Sequence, residues 1–238
     1  ASAMKALFAP ARDEPIVQSL LDTDFYKFPM NQLEREWLSL EDQVKYGGLE
    51  TWGEAEVTFS WINRHKDVIR PHEYIDIQEL RAHLDAARQL KFTPAELSFL
   101  QGMPVNPQRD RRMFSSWFIR DLQDYQLPEY DLSTNPDGSF KLDFHGKWQE
   151  TTFWEIICMS IMMELYTYNV LKKEADEEKV MEVVDEMQRR LESMVQKIGM
   201  DPRITVAEFG TRRRMSRDWQ WHAYKKAKQE LGDQVPGT

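Results

Sequence analysis

The sequence contains a single cysteine, Cys158, so no internal disulfide can form, and a reducing, cytoplasmic setting is the natural expectation. Glycines are sparse as well, 10 in 238 residues, and none falls into a G-x-G-x-x-G, P-loop or G-x-S-x-G arrangement. That argues against Rossmann, nucleotide-hydrolase and esterase readings. The five histidines, His65, His72, His83, His145 and His222, show no H-E-x-x-H spacing, and no cysteine cluster accompanies them. No protein-ligated metal is assigned. Positive charge is in deficit, 31 Lys and Arg against 40 Asp and Glu, for a formal net charge of -9. Such a chain is no generic binder of nucleic acid or anionic membrane, so any anion must be met by a local site. The N-terminal ASAMKALFAPARDEP has too short an apolar stretch to read as an export signal.

Long hydrophobic runs are nearly absent too. The one exception, TTFWEIICMSIMMELYTYNVL at 151–171, has the length of a membrane span but carries Glu155 and Glu164, each costly in hydrocarbon. It predicts a buried central helix in which both acids, with Ser160 and Thr167, need partners from neighbouring elements.

What is present is the composition of a globular chain, 41% hydrophobic and 30% charged, long enough for one large domain or two modest ones. Asp22, Thr23 and Asp24 are helix-start candidates, with Pro29 fitting only near a first turn or a kink. Residues 55–62 alternate Val57, Phe59, Trp61 with Glu56, Thr58, Ser60, the period of a half-buried strand. A helical stripe follows at Ile77, Leu80, Leu84 and Ala87, then a capping box at Thr93 and Glu96. NPDGSFKLDFHG reads as a turn and a second alternating strand through Phe140, Leu142 and Phe144. Val180, Val184, Met187, Leu191, Met194 and Ile198 form an amphipathic stripe suited to covering a sheet, ended by Gly199 as a C-cap. Residues 203–210 then read as a buried strand, TRRRM as a turn, and the following stretch as a helix capped by Ser216.

That last unit concentrates charge. A strand ending in Gly-Thr-Arg-Arg-Arg before a helix start suits an anion, because glycine admits close backbone approach and guanidinium forks grip phosphate or carboxylate. The competing reading is a solvated turn whose arginines pair with nearby acids. At the other end, Asp24 and Tyr26 are two apart, so in an extended loop they would share a face toward a small polar aromatic ligand, or else be a cap and a packed ring.

Taken in order, LLDTDFYKFPM, AEVTFSWINR, FTPAELSFL, FWEIICMSIMMELY and above all EFGTRRRMS resemble the nicotinate phosphoribosyltransferases, from about Ile16 onward. The resemblance implies an α/β (α+β) fold: an extension at 1–15, an N-terminal α/β sandwich domain at 16–148, and the beginning of an irregular α/β barrel at 149–238. It implies an ATP-coupled ligase of NAD biosynthesis that joins nicotinate to 5-phosphoribosyl 1-diphosphate, with Mg²⁺ accompanying the diphosphate, in a homodimer with composite sites. By motif, Tyr26 from the partner subunit and Phe209 would sandwich the pyridine ring, and Asp24 would orient the loop or ring. Gly210 and Thr211 would let backbone approach the ligand, while Arg212, assisted by Arg213, would hold phosphate or carboxylate and Arg214 would face water. Two features depart from the family: Gly146-Lys147-Trp148 stands where it has Gly-Pro-Trp, and its phosphohistidine segment would lie beyond Thr238. A barrel also needs about 250 residues, so the chain reads as the N-terminal part of a longer enzyme. The alternatives are an interaction module built on the same fold, or transfer to nicotinamide.

Overall fold

A computed structural model describes residues 14–106, 109–174, 176–207 and 210–235. Its strands are β1 (Glu56–Trp61), β2 (Pro104–Asn106), β3 (Arg109–Arg112), β4 (Tyr130–Thr134) and β5 (Phe140–Lys147). The order β1-β5-β4 is antiparallel throughout, and β2 and β3 form a separate antiparallel pair. Helices and small antiparallel sheets together make an α+β fold, as the resemblance implied.

The two alternating segments meet as expected. Phe59 lies opposite Phe144, their rings stacked at 5.5 Å, and the inward face of β5 buries Phe140, Leu142 and Phe144. The Asn-Pro-Asp-Gly turn closes with the Gly138 N–H on the Asn135 carbonyl, Gly138 adopting φ +83°. Helix Ile77–Arg88 buries Leu80, Leu84 and Ala87 and is capped by the Asp76 carboxylate, which accepts from the N–H groups of Gln78 and Glu79. Helix Pro94–Gly102 carries the full Thr93–Glu96 capping box.

The apolar run forms the predicted central helix, shifted: a short turn at Trp148–Thr151 is followed, after a break at 152 and 153, by the helix Trp154–Glu174. The Trp154 ring at its start packs tilted against Phe144, with ring centres 4.5 Å apart, joining helix and sheet, while Ile156, Ile157, Cys158, Ile161 and Leu165 are fully buried. Among the described residues no helix is long and apolar enough to cross a membrane.

A second apolar cluster lies toward the C-terminal side. Helix Glu177–Gly199 sets Val180, Val184, Leu191 and Val195 against Trp219, Ala227 and Leu231 of helix Arg217–Leu231. Three expectations change here. The helix covers another helix, not a sheet. Met194 is 44% exposed and Val195 takes the buried position, because a 3.6-residue period drifts off a strict four-three alternation. Gly199 is still helical, and a Cβ there would stand 3.4 Å from Leu231 Cδ2, so it permits close packing.

The expected strand from 203 is not formed in the described part, 203–207. A strand needs a neighbour to ladder with. Here the Val206 N–H donates to the Gln234 carbonyl at 2.7 Å, and the Gln234 amide donates to the carbonyls of Ile198, Asp201 and Ile204. Ile204 is accordingly 43% exposed. Beyond it, Thr211–Arg213 is a turn of 3₁₀ helix, and the Ser216 hydroxyl caps the next helix at the Trp219 N–H, as predicted.

Candidate functional site

The site is built where the start of the chain meets the arginine turn. Residues 22–26 are not extended: the Lys27 N–H donates to the Asp24 carbonyl at 3.0 Å, and Tyr26 already has helical backbone angles as the N-cap of helix Lys27–Glu34. Asp24 and Tyr26 therefore do not share the face of an extended loop. Pro29 falls in the first turn of that helix, where its missing N–H leaves no bond unmade. Asp24 and Lys27 turn inward and are 3% exposed, whereas Tyr26 is half-buried.

Glu155, in the first turn of the central helix, links the two regions. Its Oε2 accepts from Lys27 Nζ at 2.5 Å, and its Oε1 stands 3.5 Å from Arg212 Nη1. Arg212 Nε is in turn 3.5 Å from Asp24 Oδ2, with the arginine side chain 38% exposed. Lys27 Nζ also lies 5.4 Å from the centre of the Tyr26 ring. Burial, then the nearby Glu155 carboxylate, raise the Tyr26 phenol above its ordinary value, while Arg212 works in the opposite direction. Tyr26 thus comes within electrostatic reach of Arg212 in the same chain.

The arginines of the run divide sharply. Arg214, expected to face water, has a side chain only 1% exposed. Its two terminal nitrogens donate to the two carboxylate oxygens of Asp22, Nη2 at 2.9 Å, and its Nε donates to Glu164 Oε1 at 2.5 Å. The reason is the acid in the apolar helix: Glu164 is 5% exposed and requires a cation. Burial pushes the Glu164 carboxyl up to about 7 although Arg214 pulls it down. Burial alone would lower the guanidinium, yet Asp22 first and Glu164 second outweigh it and hold Arg214 above its ordinary value. Arg214 therefore bridges Asp22 and Glu164.

Thr211 is fastened from both sides. Its carbonyl accepts from the Ser160 hydroxyl at 3.1 Å and its Oγ1 from the Gln220 amide at 3.1 Å. Ser160 also donates to its own helix at the Ile156 carbonyl, so Ser160, Glu155 and Glu164 of the central helix have found partners. Gly210 has ordinary right-handed backbone angles, with φ −85°. Phe209 lies outside the described residues, as does the side chain of Arg213. His222 is a packing residue: its Nε2 is 3.0 Å from Gln188 Oε1 and its ring lies 5.3 Å from that of Trp219. Burial, then Lys226, lower its pKa.

Residue-by-residue reading missed Lys27, Glu155 and Asp22 as members of these clusters. The signal for Glu155 was present, since an acid in an apolar run must be answered by a cation. Nothing local to the sequence says which cation answers it.

With this geometry in view, comparison with known proteins gives one decisive match. Residues 21–163 match the family described as nicotinate phosphoribosyltransferase (NAPRTase) N-terminal domain. The chain belongs to the nicotinate phosphoribosyltransferase family. Among solved structures, it is similar to a nicotinate phosphoribosyltransferase from Porphyromonas gingivalis, with 22% identity and a TM-score of 0.65 over 92% of this chain and 49% of that one. The Vibrio cholerae nicotinate phosphoribosyltransferase gives 20% identity and a TM-score of 0.63 over 98% of this chain and 48% of its own. At these identities the likeness shows the shared fold. The chain spans about half the length of these structures. The family match takes in Asp22, Asp24, Tyr26, Lys27 and Glu155, while the arginine turn lies beyond it.

Proposed function

We propose that this chain contributes part of the active site of a nicotinate phosphoribosyltransferase of NAD biosynthesis, which joins nicotinate to 5-phosphoribosyl 1-diphosphate to give nicotinate mononucleotide and diphosphate, with coupled ATP hydrolysis. The observation that carries the reading is the meeting of the Asp24–Lys27 turn with Arg212 through Glu155, from opposite ends of the chain.

The transfer passes through a sugar with oxocarbenium character, so the protein must position the attacking pyridine nitrogen and stabilise the departing anion. Arg212 suits the second task. Its contacts to Asp24 and Glu155 are long, both 3.5 Å, and its head is partly open to solvent, so it can turn a fork to a phosphate or carboxylate without abandoning a tight internal pair. Arg214, locked between two acids, cannot. The half-buried Tyr26 ring offers a face for the pyridine, and the deeply placed Asp24 holds Arg212 beside it.

Among the described residues no group of three or more His, Cys, Asp or Glu would hold a metal ion. Mg²⁺ in this reading arrives on the diphosphate.

Kinetics of nicotinate mononucleotide formation by the enzyme containing this chain test the proposal. Arg212→Ala is expected to raise the KM for the phosphoribosyl donor by at least about tenfold, roughly 1.4 kcal/mol of binding, with little change in unfolding midpoint. An enzyme that forms no nicotinate mononucleotide, or an Arg212→Ala variant with unaltered kinetics, would overturn it. Competition between nicotinate and nicotinamide in the same assay decides the acceptor.

A further inference from the structure

The geometry around Arg212 points to a role for two residues that the family-level reading leaves unassigned. Lys27 is almost wholly enclosed, its side chain 4% exposed, and its ammonium is spent on Glu155. Glu155 is two-faced: one oxygen takes Lys27 at 2.5 Å and the other faces Arg212 at 3.5 Å. Asp24, with a side chain 1% exposed, faces the same guanidinium from the other side. Two cations and two anions therefore stand in one line, Lys27, Glu155, Arg212, Asp24, and only Arg212 and Glu155 reach solvent to any extent.

We infer that Glu155 and Lys27 are positioning residues that set the anion affinity of Arg212: Glu155 holds the guanidinium aimed and partly neutralised until an anionic ligand takes its place, and Lys27 keeps the displaced carboxylate compensated. An arginine flanked by two carboxylates is a weak anion site. Removing one flanking charge strengthens it, and removing the cation behind that charge weakens it further. The inference rests on the phosphoribosyltransferase reading only for its choice of probe.

A merely structural pair behaves differently from a pair that sets local charge. If Lys27 and Glu155 served only to hold the helices together, breaking either side would damage the site in the same direction. If they set the charge at Arg212, the two changes act with opposite sign. Lys27→Met leaves Glu155 as an uncompensated anion beside Arg212, whereas Glu155→Gln leaves Lys27 as an added cation. Interactions of unit charges at these separations in a partly solvated site correspond to affinity changes of about fivefold or more. The double variant restores the original net charge.

The test is the dissociation constant of inorganic diphosphate, measured calorimetrically on the full chain and on Lys27→Met, Glu155→Gln and the double variant, each checked for an intact unfolding transition by tryptophan fluorescence. Lys27→Met is expected to weaken diphosphate binding by about fivefold or more, Glu155→Gln to tighten it by a similar factor, and the double variant to return within about twofold of the parent. Recovery in the double variant would also follow from relief of a stranded buried charge, so the deciding observation is the opposite sign of the two single variants: a fold defect would weaken binding in both. Weakening in both single variants, an additive loss in the double variant, or no diphosphate uptake by the parent chain would overturn the inference. Absent nicotinate mononucleotide synthesis with the opposite-sign response intact would instead remove the enzymatic reading and leave the anion site standing.

Discussion

Removing the Arg214 guanidinium should be among the most damaging single changes available in this chain, and its cost should depend on pH. The side chain is 1% exposed and joins Asp22, from the loop before the first helix, to Glu164 in the middle of the central helix. Arg214→Met fills similar space but strands two carboxylates in the interior. Breaking one side of a buried ion pair in this way costs about 3–5 kcal/mol. The pH dependence follows from Glu164, whose carboxyl sits at about 7 in the folded chain against an ordinary 4.5, burial being the first cause. A folded-state value above the unfolded one means that the folded chain binds the proton more tightly. That contribution is fully present below about 4.5 and is lost as pH rises through about 7. A shift of this size corresponds to about 3 kcal/mol. In Arg214→Met the carboxyl also loses the cation that pulls its pKa down, so it rises further and the loss extends to higher pH. The variant's deficit relative to the parent should therefore be smaller near pH 5 than near pH 8. Urea unfolding followed by the fluorescence of the eight tryptophans measures both quantities. Adding Glu164→Gln to Arg214→Met removes the titrating group and should flatten the pH dependence. A deficit under about 1 kcal/mol, or one equal at both pH values, would refute the argument and return Arg214 to the status of a surface residue.

Two further outcomes follow from packing. A Cβ on Gly53 would stand 2.7 Å from Gln149 Cβ and 2.9 Å from the Glu34 carbonyl oxygen, neither of which can swing aside, so Gly53→Ala should cost about 1–3 kcal/mol; an unchanged thermal midpoint would show that the contact relaxes freely. Cys158 is fully buried, and burial pushes its thiol above the ordinary range, so a thiol reagent should leave the native chain unlabelled and react only across the unfolding transition. Labelling of the native chain at the rate of an exposed thiol would place Cys158 outside the core.

Where local pattern and tertiary environment agree, the sequence was readable. The alternation of Val57, Phe59 and Trp61 against Phe140, Leu142 and Phe144 is a property of each strand taken alone, and both strands formed in facing register. The Thr93–Glu96 box and the Ser216 cap are complete within four residues, so nothing distant could alter them. The described part of the segment from 203, residues 203–207, departs from the expected strand for the converse reason. Its apolar character suits a strand, but a strand is a relation between segments, and here the Val206 N–H donates to the Gln234 carbonyl with no strand laddered beside it among the described residues. Met194 and Val195 show a subtler limit, since over six turns a small error in period moves the buried stripe by one residue.

The arginine run was the hardest case, because three identical side chains in sequence carry no local mark of which faces inward. The partners that decide it, Asp22 and Glu164, lie 192 and 50 residues from Arg214. One further piece of local physics narrows the choice. Thr211–Arg213 winds as a 3₁₀ turn, whose repeat of three residues brings position 214 back toward the side occupied by 211. Thr211 is tied to Ser160 and Gln220 on the inner side, so Arg214 is carried inward toward Glu164, one helical turn beyond Ser160 on the central helix. Arg212 is left on the outer side, long-ranged in its contacts and partly open. The same turn that buries one arginine as a strut therefore presents another as an arm, and the acids that seemed misplaced in an apolar helix are what each of them is set against.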